Sequence, residues 1–320
     1  MSTAAKSYGL HVIVVMVLVA LNFLLPAYHH GLMARILVLA TFAMGYNLTF
    51  GYGGLLSLGH AMFFAAGLYG AGLSLHHWGF GVPEAFLLAL GCGAALALCV
   101  GLLALRTTGV AFMIVTLMFA QACHLAIIYF SAFTGGDQGL ALKPQQRRIE
   151  TGFGVLDLTN PTTRYLLALA LFAIVLFALL FWVRTGSGRV LVAIRENEER
   201  TQMLGYDTFA NRLAALVLSG TICAGAGAAY GLLFGYVGAN FASVQYSILP
   251  LLWVLLGGTA TVLGPLIGTV FMYYVVDIAS GYTAAYMLVV GVVLILLVLF
   301  FRKGLLGTLR ERWLWLRWLP

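Results

Sequence analysis

The side chains that could do chemistry in this chain are few, and most stand in one place. Arg195-Glu196-Asn197-Glu198-Glu199-Arg200, closing at Gly205, gathers both signs of charge in a sequence with 8% charged residues and a mean hydropathy of +1.01. Elsewhere the arrangements that signal catalysis are missing. No Gly-x-x-x-x-Gly-Lys-Ser/Thr occurs, and the lysines are Lys6, Lys143 and Lys303, so the chain offers no phosphate cradle. No His-Glu-x-x-His occurs either. His29-His30 and His76-His77 fall at the ends of apolar runs, and His124 stands alone inside one, where a packing hydrogen bond is the simplest role. The carboxylates nearest an apolar interior, Glu84 and Asp277, sit at its edges, whereas a gradient-driven carrier needs such a group at mid-depth. What remains is the mixed-sign island, which must sit in water and suits a soluble protein partner better than lipid.

Two glycine-rich stretches form a second group. Gly53, Gly54, Ser57, Gly59 and His60 crowd into one segment, and Gly257, Gly258, Gly264 and Pro265 into another that weakly echoes it with one inserted residue. Glycine packed this densely breaks a membrane helix and exposes backbone polar groups, which is tolerated only inside protein or beside a wet cavity. Both segments are therefore candidates for a translocation pathway, although a tight turn between spans would use the same residue types. By span count the two copies point the same way, unlike an inverted repeat.

The elements that must position these residues are membrane helices. Ten apolar runs are candidates to cross a hydrocarbon layer, which takes roughly 20 helical residues: 10–25, 32–50, 55–75, 85–105, 110–130, 165–183, 213–237, 246–256, 263–278 and 284–301. They are continuously apolar, unlike the alternating strands of a barrel. The expected fold is all-α, a single polytopic domain over residues 1–320 with about ten transmembrane helices and Gly-rich segments able to re-enter. The longest extramembrane pieces are 131–163 and 184–211. With both termini cytoplasmic, 12 of the 17 Lys and Arg residues lie inside; Arg35, Lys143, Arg147, Arg148 and Arg164 fall outside. The net charge of +7 then describes span ends facing anionic lipid, and a nucleic-acid partner is excluded for want of a basic soluble surface. Cys92, Cys99, Cys123 and Cys223 lie within spans, so neither a disulfide nor a metal site is expected.

Within 184–211 the sequence predicts a continuous helix over 189–204, with Ser187 as N-cap and Gly205 as its stop. Glu196–Arg200 and Arg195–Glu199 would then be i,i+4 pairs. Gly227, Gly231 and Gly235, four apart, suit close helix packing. Arg310 to Trp318 alternates Arg with Trp313, Trp315 and Trp318, a headgroup anchor.

Four segments in order carry a resemblance: GGLLSLGHAMFFAAGLYGA at 53–71, TGGDQGL at 134–140, RENEERTQMLGY at 195–206 followed by 219–230, and LGGTATVLGPLIG at 256–268. Together they resemble the LivM-type permeases of branched-chain amino acid ABC importers. The resemblance implies a bacterial cytoplasmic-membrane subunit that pairs with a second, homologous permease, two cytoplasmic ATPases carrying the ATP, and an extracytoplasmic binding protein. It implies no cofactor on this chain and no covalent chemistry. The stretch 195–205 corresponds to the loop that docks in the ATPase, with Glu198, Glu199 and Gly205 as the matching positions; Arg200 stands where the family commonly has a small residue. Thr134, Gly135, Gly136 and Asp137 fall on the outer side, at the entrance or the binding-protein surface, or form an ordinary glycine turn. Branched-chain amino acids lead as cargo, with urea, short amides or aromatic acids as related solutes. A self-sufficient carrier or channel is the competing class.

Overall fold

The computed structural model describes residues 3–151, 154–283 and 304–312, with 285, 288, 291–293, 295 and 299. The elements are α1 (Thr3–Leu24), α2 (Ala27–Asn47) ending in a π-helical turn (Leu48–Tyr52), α3 (His60–Trp78), α4 (Val82–Ala104), α5 (Gly109–Tyr129) and the single turn α6 (Ser131–Thr134). Then come α7 (Pro161–Arg184), α8 (Gly186–Glu196), α9 (Glu198–Met203), α10 (Thr208–Phe234), α11 (Val244–Gly257), α12 (Gly264–Tyr282) and α13 (Gly304–Arg312). Two small antiparallel ladders stand at one end. Leu140–Ala141 (β1) pairs with Tyr236–Val237 (β4), and Arg148–Thr151 (β2) with Gly154–Asp157 (β3), in the register Leu140↔Val237 and Arg148↔Asp157.

Six of these helices are long and apolar enough to cross a membrane: α1, α2 with its π turn, α4, α5, α7 and α10. Their outward faces carry Leu87, Leu98, Leu103, Ile114, Met118, Leu125, Ile174 and Phe181, all exposed, as a lipid-facing surface requires. The chain is an all-α, polytopic membrane protein. The expected count of ten is not matched. The run at 55–75 begins as helix only at His60, and 246–256 forms a helix of 14 residues, about 21 Å at 1.5 Å per residue, too short to span alone. The run at 284–301 lies largely outside the described residues, as does the Trp313–Trp318 anchor.

The core is built around α2 and α10. From Met33 to Thr49 every residue of α2 is buried except Arg35. Small residues let its neighbours close in. A Cβ at Gly227 would stand 1.9 Å from the Phe64 carbonyl, and one at Gly67 1.9 Å from the Ala224 carbonyl, so α3 and α10 meet backbone to backbone. Gly231 packs on Leu68 in the same seam, but Gly235 is not part of it: with φ +75 it caps the end of α10. Cys92 and Cys99 lie on α4, Cys123 on α5 and Cys223 on α10, each in its predicted helix.

Arg184 stacks over Tyr8, Gly304 abuts Gly258, and α8 reaches Gly51, so the start of α1, the α11–α12 turn and α13 share one end of the bundle. The 131–163 segment, with Arg35 and Arg164, lies at the other.

Candidate functional site

The glycine-rich segments, separated by about two hundred residues, meet at the α8 end. After Asn47 the helix widens, Gly53 N–H donating to the Leu48 carbonyl five residues back at 3.2 Å, and Gly54 then leaves helical space at φ +68. The second segment, between α11 and α12, passes beside it. Asn47, 2% exposed, clasps the two: its Nδ2 donates to the Thr261 carbonyl at 2.9 Å, and its Oδ1 accepts from Ala260 N–H at 3.2 Å. Ala260 is held at φ +56, the one non-glycine among the described residues with positive φ. Gly51 has to be glycine, because a Cβ there would lie 1.9 Å from Asn47 Oδ1 and 2.7 Å from Ala260 N.

Below the clasp, the return to α3 is held by side chains. The Tyr46 hydroxyl donates to the Ser57 carbonyl at 3.0 Å, and Ser57 Oγ accepts from Gly59 N–H. His60 is fully buried, its Nε2 3.1 Å from both Thr49 Oγ1 and Ser219 Oγ. Those hydroxyls already donate to the Tyr46 and Gly45 carbonyls, so Nε2 carries the proton and Nδ1 is left without a partner. Gly53, Ser57, Gly59, His60, Gly257, Gly258, Gly264 and Pro265 are all buried, while Gly54 is exposed beneath the Arg195 side chain.

The polar island lies against this clasp. The predicted continuous helix over 189–204 is two helices: Asn197 adopts φ −159, ψ 104 and caps α9 by accepting from Arg200 N–H at 2.9 Å. An asparagine that bonds its own backbone competes with helix continuation, which is why the i,i+4 spacing misleads here. Arg195–Glu199 and Glu196–Arg200 do not pair; Glu198 instead bridges to Arg212 on α10 at 2.7 Å. The N-cap of α8 is Thr185 rather than Ser187, since Thr185 Oγ1 accepts from Gly188 N–H. Gly205 ends α9 as expected, with φ +85. Leu191 and Ile194 are buried against the bundle, Leu191 beside Gly53, and Arg195 Nη1 donates to the Gly51 carbonyl. Glu196, Glu199 and Arg200 face outward, beside Met203 and Leu204, which are 83% and 76% exposed.

At the opposite end, Thr134 is buried, its hydroxyl donating to the Ile127 carbonyl at 2.6 Å, and Gly135 and Gly136 hold φ +79 and +56. A Cβ on Gly135 would meet the Gly139 carbonyl at 2.5 Å, so this motif is a built turn with Asp137 exposed at its tip. His124 Nδ1 meets the Ala239 carbonyl at 3.0 Å, a packing bond, and Glu84 caps α4 through Gly81 N–H.

Sequence reasoning missed a cavity of about 390 Å³ at this end, lined by Tyr28, Arg35, Arg164, Phe234, Tyr273 and Asp277 among others. The available signal was Arg35 itself, a charge inside an apolar run, a position that is costly to fill without purpose.

A family model described as "Branched-chain amino acid transport system / permease component" matches residues 29–299. The chain belongs to this family. Among the relatives of this permease, the high-affinity branched-chain amino acid transport system permease protein LivM of Salmonella typhimurium is 27% identical over 289 residues, covering 84% of this chain and 68% of that one. LivM of Escherichia coli is 27% identical over 293 residues, with the same coverage. Both relatives are named as transport system permease proteins. No solved structure matches the permease. The matched region takes in both glycine segments, α8–α9 and, apart from Tyr28, the residues that line the cavity at the opposite end.

Proposed function

We propose that this permease is the translocation subunit of an ATP-driven importer of branched-chain amino acids in a bacterial cytoplasmic membrane, with both termini and α8–α9 cytoplasmic. Its partners are a second, homologous permease, two ATPases that dock on Arg195–Gly205, and an extracytoplasmic binding protein; ATP stays on the ATPases. The observation that carries the reading is the Arg195 contact to Gly51. A surface helix pair with an outward face of Glu196, Glu199, Arg200, Met203 and Leu204 is joined by a side chain to the clasp between two broken helices. ATP can move the permease only if docking energy differs between its states, and a rigid element that touches both partner and break supplies that difference. Gly53, Gly54, Ser57, Gly59, His60, Gly257, Gly258, Gly264 and Pro265 then act as the jointed wall of the pathway.

The test pairs Glu199→Arg with Gly205→Pro. Proline fixes φ near −65°, whereas Gly205 sits at φ +85 with open space around it, so the change stays at the surface. Leucine uptake by the assembled transporter is expected to disappear while the chain still reaches the membrane. Normal uptake defeats the docking assignment. Movement of leucine by the purified chain alone in liposomes, without nucleotide, overturns the importer reading in favour of a self-sufficient carrier.

A further inference from the structure

The cavity at the end opposite α8 holds an unusual charge arrangement. Arg35 is the one exposed residue in a stretch of α2 otherwise buried from Met33 to Thr49, and among the described residues it makes no hydrogen bond or ion pair. Its Cζ lies 5.2 Å from the centre of the Phe234 ring, and the Cζ of Arg164, on α7, lies 5.4 Å from the same ring. Arg164 donates one bond, at 3.3 Å, to the Thr159 carbonyl, and its buried Nε has no partner. Arg147, 8% exposed, stands behind them against Gly235, donating to the Leu233 carbonyl, its Nε likewise unpartnered. The two ion pairs found among the described residues, Arg148–Asp157 and Arg212–Glu198, include neither Arg35 nor Arg164, and of the three arginines Asp157 offsets only Arg147. Arg35 and Arg164, two like charges over one ring with no ion pair, repel each other, and a bound acid group relieves that repulsion.

The same cavity carries a group of the other sign. Asp277 on α12 lines the same cavity and accepts a hydrogen bond from the Tyr28 hydroxyl. The apolar Leu32, Phe234 and Val276 line it as well. The cavity's 390 Å³ falls in the range of small-molecule sites, roughly 300–1,000 Å³. The chain that follows Phe234 is stitched down: β4 pairs with β1, and Leu142 N–H donates to the Gly235 carbonyl at 2.9 Å.

We infer that this cavity is a capture site for a free zwitterionic amino acid: Arg35 and Arg164 take its carboxylate, Asp277 takes its ammonium, and Phe234, Leu32 and Val276 receive its aliphatic side chain. The inference rests on the reading of the chain as an amino acid importer for the identity of the ligand. A primary ammonium beside an acid group also occurs in an aminophospholipid headgroup. The apolar side chains that line the cavity beside the charged groups favour the free solute.

The test is binding of radiolabelled L-leucine to the purified full-length chain in nanodiscs made without phosphatidylethanolamine. Leucine is expected to bind, with 4-methylpentanoate and isoamylamine, which each lack one charged group, competing about ten- to a hundredfold less well, the weight of one charged hydrogen-bonded contact. Arg35→Gln or Arg164→Gln should weaken leucine by a similar factor, and Arg35→Lys by less. Asp277→Asn should weaken leucine while sparing 4-methylpentanoate. Folding of each variant is checked by its thermal transition, and Arg35→Lys and Arg164→Lys stand in should a glutamine variant misfold. Equal competition by 4-methylpentanoate, or unchanged leucine binding in Asp277→Asn, overturns the proposal. Displacement of leucine by added phosphatidylethanolamine assigns the cavity to lipid and likewise overturns it. If the assembled transporter takes up leucine and Arg35→Gln/Arg164→Gln leaves binding and uptake unchanged, the site is wrong and the importer reading stands. If leucine binds as described and no assembly of the chain moves it, the importer reading fails and the site stands.

Discussion

Asn47→Ala is the sharpest probe of the clasp that joins the two helix breaks. The substitution deletes two hydrogen bonds, to the Thr261 carbonyl and from Ala260 N–H, at a side chain only 2% exposed. Each bond is worth about 1 kcal/mol net, and a buried carbonyl left without its donor adds about 1–2 kcal/mol, so the expected loss is about 3–4 kcal/mol. Thr41→Val on the same helix is the control. Thr41 is equally buried, but its hydroxyl donates to Leu37, whose carbonyl remains available to the helix ladder, so its loss should stay below about 1 kcal/mol. The assay is reversible unfolding in mixed micelles of rising dodecyl sulfate fraction, read by Trp253, buried near the break on α11. If Asn47→Ala costs no more than Thr41→Val, the two segments are held by packing alone. The clasp would then carry no force between α8 and the α11–α12 turn.

Three other outcomes follow from the same geometry. Gly227→Ala puts a Cβ 1.9 Å from the Phe64 carbonyl and should cost about 1–3 kcal/mol, whereas Gly91→Ala on the outward face of α4, with open space around it, should be neutral or gain up to about 1 kcal/mol in the same unfolding assay. Tyr165→Phe removes a buried 2.6 Å bond to the Leu18 carbonyl and should cost about 1 kcal/mol, read as earlier proteolysis of α1 where it leaves α7. Hydrogen bonds from Thr159, side chain first, and then Arg148 hold the Asp157 carboxyl below its ordinary 3.8. The stability this gives the β2–β3 ladder is therefore present above 3.8 and lost as pH falls through the folded-state value. Peptic cleavage within 144–160 should rise with acidity in the wild type and become pH-independent in Asp157→Asn.

Membrane class, the helical fold and the water-facing island were legible in the sequence because each depends on local composition. Apolar length decides what can sit in hydrocarbon, and the Arg195–Arg200 cluster is too polar to do so. Gly205 as a helix stop was legible for the same reason, since φ +85 is a property one residue type supplies. Helix-face pairing within the island was not, because the Asn197 side chain competes for its own backbone and divides the helix. The span count also escaped, since the 14-residue α11 reads as one more apolar run until its partner at the Asn47 clasp is seen.

What only the tertiary structure decided is which distant residues become neighbours. Asn47 and Thr261 are 214 positions apart, yet their bond turns two weakly similar glycine runs into one joint. Tyr28, Arg35, Arg164, Phe234 and Asp277 come from four helices, and no spacing within any one of them predicts a cavity lined by both signs of charge. Sequence fixes the cost of each charge near hydrocarbon through its own chemistry. Where the charge finds relief depends on packing, because helix–helix contact through small residues sets which walls face one another.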